Sequence, residues 1–103
     1  PVLITHPLLY GDEIDPDSGV NLGDVKEELF NIETSSSVYW RVLERFNNVT
    51  RVVARDHNIE LIDLAKLLPK KSSLYLDHVH FSEKGAKVVA DIVSEDLCAI
   101  VKD

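Results

Sequence analysis

The sequence predicts an α/β fold built on parallel strands. Two short apolar runs, residues 2–5 and 59–64, have the length of buried strands. Two longer segments carry apolar residues at helical spacing: Tyr39, Val42, Leu43, Phe46, Val49 and Val53 in one, Ala86, Val89, Val93, Leu97 and Ile100 in the other. The order strand, helix, strand, helix is that of an open parallel sheet, where a helix carries the chain from one strand to the next.

Residues 2–5 end at His6-Pro7, and Pro7 disfavours helix at His6. Residues 11–24 hold Gly11, Pro16, Gly19 and Gly23 among many acids and read as a loop. Residues 25–32 read as a short helix capped by Asp24, with Val25, Leu29 and Ile32 on one side. Residues 34–37 offer several caps for the long helix that follows. Its apolar stripe is expected to face the core, with Arg41, Arg45, Arg51 and Arg55 mostly on a solvated face. Asp56-His57-Asn58 closes that helix, and His57 suits its negative end. After the second strand, residues 65–68 turn briefly before Pro69, and residues 70–73 form an exposed loop. The last helix spans residues 83–101, with Ser82 as N-cap and Glu83 at the positive end of its dipole.

The chain has 103 residues, enough for one small domain, and 45% are hydrophobic. Residues 11–34 hold eight acids against Lys26 alone, which accounts for the whole net charge of −7. Such a loop repels phosphate backbones, so nucleic acid is not an expected partner. No apolar run reaches the length of a membrane span. Cys98 is the only cysteine, so no intramolecular disulfide forms and the compartment stays open; it is expected to be buried in the last helix. The chain opens directly on a strand, and two strands are too few for a parallel sheet with both faces covered. The expectation is one portion of a larger domain, which pairs with an N-terminal half or self-associates.

The chemistry concentrates in Asp77-His78-Val79-His80-Phe81-Ser82-Glu83-Lys84-Gly85. Asp77 and His80 fall on a tight loop before a helix. A carboxylate there can hold one imidazole nitrogen and leave the other as a general base. His78, His80 and Asp77 also suggest a metal site, but further ligands would come from distant His6 or His57. That set is incomplete, so no metal or cofactor is expected. His78 is expected to be an exposed loop residue. His6, at the C-terminal end of a strand, is a candidate for lining a substrate site.

Asp77-x-x-His80 followed by Ser82, Gly85 and an apolar helix closely resembles the last signature block of the SGNH, or GDSL-type, hydrolases. Residues 2–7 and 59–64 look like that family's last two strands. The resemblance implies the C-terminal part of a flavodoxin-like three-layer parallel sheet, with two strands and two main helices present. It implies a serine esterase or lipase acting on a small-molecule ester, with Asp77 as triad acid and His80 as triad base. Gly85 is similar to the small residue where that helix passes close to the sheet. The family's Gly-Asp-Ser is absent: Gly11-Asp12-Glu13 and Gly23-Asp24-Val25 lack the serine. The oxyanion-hole glycine and the Gly-x-Asn-Asp block are also missing. Ser18, Ser35 and Ser72 lie in loops without a nucleophile signature. The chain alone is therefore expected to turn over little or nothing. The rival expectation is a non-catalytic α/β module for binding or assembly.

Overall fold

A computed structural model describes residues 1–29 and 31–102. The fold is mixed α/β with three helices and two small sheets. Strand β1, Val2–Ile4, pairs in parallel with β4, Glu60–Ile62, with Leu3 opposite Leu61. The parallel pairing agrees with the expected order of elements. Ile62 is fully buried, as an apolar residue of an enclosed strand should be.

Residues 25–32 are not a helix. Strand β2, Lys26–Leu29, and strand β3, Ile32–Ser35, form an antiparallel hairpin. Asn31 lies in the turn at φ 64, a left-handed conformation that asparagine tolerates better than most residues. The Val25, Leu29, Ile32 spacing suits a helix, but the cross-strand ladder from Lys26–Ser35 to Leu29–Ile32 prevails.

Helix α1, Ser36–Asp56, starts as the sequence indicates. Ser35 is its N-cap and accepts from the Val38 N–H. At the other end, Asn58 N–H donates to Arg55 O and Ile59 N–H to Ala54 O. With Asn58 at φ 54 this is a Schellman motif, which satisfies the last carbonyls.

The face that α1 turns inward differs from the expected one. Its buried residues are Ser36, Asn47 and Ala54. The apolar stripe lies largely in solvent, with Val42 52%, Val49 62% and Phe46 68% exposed. Asn47 is buried because its amide serves backbone: His6 N–H donates to Oδ1 and Nδ2 donates to His6 O, both at 2.9 Å. Arg51 also turns inward. It grips Asp63 with Nε to Oδ2 at 2.9 Å and Nη2 to Oδ1 at 3.0 Å, and it pairs with Glu44.

Asp63 ends β4 and joins it to β1 through the Thr5 hydroxyl, which donates to Oδ1 at 2.7 Å. The same hydroxyl accepts from the Ala65 N–H at the start of helix α2, Leu64–Leu67. Burial works to raise the Asp63 carboxyl, but the bonds from Arg51 and Thr5 outweigh it and hold it below its usual range.

Residues 70–73 are not a simple exposed loop. Lys70 is buried, its ammonium 3.7 Å from the centre of the Trp40 ring. Nζ donates to Leu8 O at 2.6 Å and Tyr10 O at 2.7 Å. Burial pushes this amine down to about 8, with Glu13, Glu44 and Asp12 pulling the other way. Ser72–Leu74 form a 3-10 turn. The acidic loop is likewise partly internal. Asp15 is buried and accepts from the Ser18 hydroxyl and from the N–H groups of Asp17 and Ser72. Those bonds outweigh the burial that would raise its carboxyl and hold it well below the usual range.

Helix α3, Glu83–Lys102, lies over a core of Leu64, Leu68, Leu74 and Tyr75. It contributes the half-buried Val88, Val89 and Ile92, each of which gains part of the roughly 1.5–3 kcal/mol that full burial of such a side chain supplies. Cys98, expected inside, is exposed on this helix. No helix among the described residues is long and apolar enough to cross a membrane.

Candidate active site

The loop between Tyr75 and Phe81 is closed at its base. Those two residues form an antiparallel bridge, and Leu76 N–H donates to His80 O at 2.7 Å. Ser82 anchors the exit. Its hydroxyl donates to Ser73 O at 2.7 Å and accepts from Gly85 N–H at 3.0 Å, while its carbonyl takes the first helical bond from Ala86. The predicted N-cap of α3 is thus also a tether to the preceding turn.

Within this frame Asp77 turns back on its own loop. Oδ1 accepts from Val79 N–H at 2.8 Å and His80 N–H at 2.7 Å. Oδ2 lies 2.8 Å from His80 Nδ1. The spacing of three residues brings both side chains to one side of the turn, as the sequence suggests. The backbone N–H groups of His80 and Val79, then the His80 ring, hold the Asp77 carboxyl well below its usual range. The carboxylate is therefore ionised and acceptor-only, so Nδ1 is the donor and carries the proton. In the neutral ring Nε2 then bears the lone pair. His80 is 74% exposed, open to a group brought from solvent or from another segment.

His78, expected to be exposed, is three-quarters buried. Its ring stacks on Tyr10, with centroids 5.0 Å apart, and meets Tyr39 edge-on at 5.3 Å. Glu27 of β2 accepts from the Tyr10 hydroxyl and lies 3.7 Å from His78 Nδ1. Leu9 N–H donates to His78 O at 3.0 Å. The segment after β1, the hairpin and α1 thus all brace the loop that carries Asp77 and His80. Sequence reading missed this brace because Tyr10, Glu27 and Tyr39 are far from His78 along the chain and share no motif with it.

A cavity of about 310 Å³ borders the loop, with Leu9, Tyr10, Val20, Leu22 and Asp77 in its wall. A second, of about 560 Å³, is lined by Trp40, Glu44, Arg51, Asp63 and Lys70, but by neither Asp77 nor His80. Neither cavity has His80 in its wall.

The other candidates fall elsewhere. His6 is exposed at the end of β1, its backbone held by Asn47. His57 caps α1 at its C-terminus. No three His, Cys, Asp or Glu side chains among the described residues are placed to hold a metal ion. Ser18 Oγ is bonded to Asp15, and Ser35 Oγ to the start of α1.

No protein-family model, no curated protein and no solved structure matches this chain.

Proposed function

We propose that this chain supplies the acid and the base of a serine ester hydrolase, in a flavodoxin-like three-layer sheet completed by other polypeptide. The observation that carries the reading is the 2.8 Å contact between Asp77 Oδ2 and His80 Nδ1. An ion pair this exposed adds little to stability. It does orient the ring and leave Nε2 as a base. In the proposed reaction a serine from outside residues 1–103 attacks the ester carbonyl, and His80 Nε2 takes its proton. Asp77 stabilises the imidazolium. The proton then passes to the departing alcohol, leaving an acyl-serine. Water, deprotonated by His80, releases the acid and regenerates the serine. His6 is proposed to line the substrate site.

The test is hydrolysis of p-nitrophenyl acetate by the protein that carries this chain. His80→Ala should lower kcat by roughly three to four orders of magnitude, and Asp77→Asn by a comparable amount through the wrong tautomer. Wild-type turnover in His80→Ala would end the reading. On the chain alone, ¹⁵N spectra should show His80 protonated at Nδ1, and Asp77→Asn should shift that preference. The rival reading, a non-catalytic module for binding or assembly, draws on the exposed stripe of α1.

A further inference from the structure

The stripe on α1 is a continuous surface. Val38, Val42, Phe46, Val49 and Val53 recur at three- and four-residue steps, so they stack along one side of the helix for about 23 Å. All five are exposed. At its N-terminal end the stripe sinks into a groove of about 320 Å³, walled by Thr34, Val38, Tyr39, Val42, Leu43 and Phe46. A contiguous apolar surface of this kind marks a place where something binds.

The two borders differ. On one side Tyr39, Leu43 and Thr50 are half-buried and lead into the body of the fold. On the other stand Arg41 and Arg45, exposed and four residues apart, each preceding a stripe residue. Neither forms an ion pair among the described residues, whereas Arg51 is taken by Asp63 and Glu44, and Arg55 by Asp56. In a chain of net charge −7, two unpaired arginines beside an apolar stripe are a local reversal of sign.

We propose that this stripe seats an amphipathic helix of a protein partner, whose apolar face is bordered on one side by acidic residues. The groove takes its apolar side chains, and Arg41 and Arg45 pair with its acids. This is helix-in-groove recognition with charge setting the orientation. A second copy fits less well. Two α1 helices paired antiparallel about Phe46 would set Arg45 against Arg45. An anionic bilayer fits less well too, because it is flat where the stripe is grooved. The proposal does not depend on Asp77 or His80.

The test uses two fluorescein-labelled synthetic helices of 18 residues with the same leucine stripe. One carries Glu along a border and the other Lys. Fluorescence anisotropy with the chain should show saturable binding of the acidic helix, at least tenfold tighter than the basic one. Phe46→Asp should abolish it with the circular dichroism unchanged. Arg41→Glu with Arg45→Glu should reverse the preference. Equal binding of both helices, no saturable binding, or a preference that survives the charge swap would overturn the proposal. Dimerisation in sedimentation that Phe46→Asp dissolves would assign the surface to a second copy. Co-sedimentation with phosphatidylserine vesicles that Phe46→Asp abolishes would assign it to lipid.

Discussion

The backbone carbonyl of Leu74 occupies the space that any side chain at Gly85 would need. A Cβ there would stand 1.8 Å from the oxygen, closer than atoms can approach. The obstacle is main chain of a bridged turn, so it cannot swing aside as a side chain could.

Gly85→Ala is therefore expected to destabilise the fold. Alanine gains about 1 kcal/mol in helix propensity. Forcing helix and turn apart costs about 1–3 kcal/mol or more and also lifts α3 off the core. Urea titration should show a lower midpoint, and an unchanged or higher one would refute the contact.

Ser82 has two partners, and the two can be separated. Ser82→Ala should lose about 1–2 kcal/mol through the cap alone, and more through the orphaned Ser73 carbonyl. Ser82→Asp keeps an acceptor for Gly85 N–H but brings no donor for Ser73 O, so it should recover only part of the loss. Ser82→Asp as stable as the wild type would show that the tether contributes nothing, and Ser82→Asp no more stable than Ser82→Ala would show the same of the cap.

The long helices were legible because their signals are local. Ser35 and Ser82 cap them, the Asn58 stop closes α1, and apolar periodicity spans each. The dyad was legible for the same reason, since Asp77 and His80 meet within one turn. The hairpin was misread because Glu27, Glu28 and Leu29 are helix formers, and the turn at Asn31 gives only a weak signal. The inward face of α1 was misread because burial of Asn47 and Arg51 depends on His6 and Asp63, which no spacing rule connects to them. Lys70 was placed outside for a similar reason. Its carbonyl partners lie about sixty residues away.

Acid should act through Asp63 alongside Asp15 and Asp77, whose carboxyls the fold also holds low. The folded Asp63 carboxyl lies below the ordinary value of 3.8, so it contributes stability above that pH and loses it as pH falls further. Asp63→Asn should lower stability at pH 7 by about 1.5–3 kcal/mol, through the weakened Arg51 bonds. It should also flatten the acid limb below pH 4. A parallel decline in both proteins would show that other carboxylates govern the acid response.

Alkali should act through groups of opposite sign. Lys70, pushed down to about 8 from 10.5, is deprotonated in the fold while the unfolded chain still holds its proton, so its term rises between those pH values. Burial pushes the Tyr75 hydroxyl up to about 12 from 10.0, so the unfolded chain loses that proton first. Its contribution falls over that range, and the Tyr10 hydroxyl, pushed up by burial and by Glu27, adds to the fall. Lys70→Met should remove the gain and Tyr75→Phe its share of the loss, both read from denaturation midpoints between pH 7.5 and 11.5.

The Asn47 amide has a consequence for growth of the sheet. Thr5 N–H is spent on Ile62 O, so the next amide, at His6, faces the outer side of β1, where a further strand would lie. A carboxamide carries one carbonyl and an N–H, as a peptide unit does, and Asn47 fills that place as a single counterfeit residue of a neighbouring strand. A strand that joins the sheet alongside β1 can therefore pair with Val2 and Ile4 but not with His6, whose backbone groups Asn47 already holds. One helix side chain thus fixes where the pairing of the next strand must end.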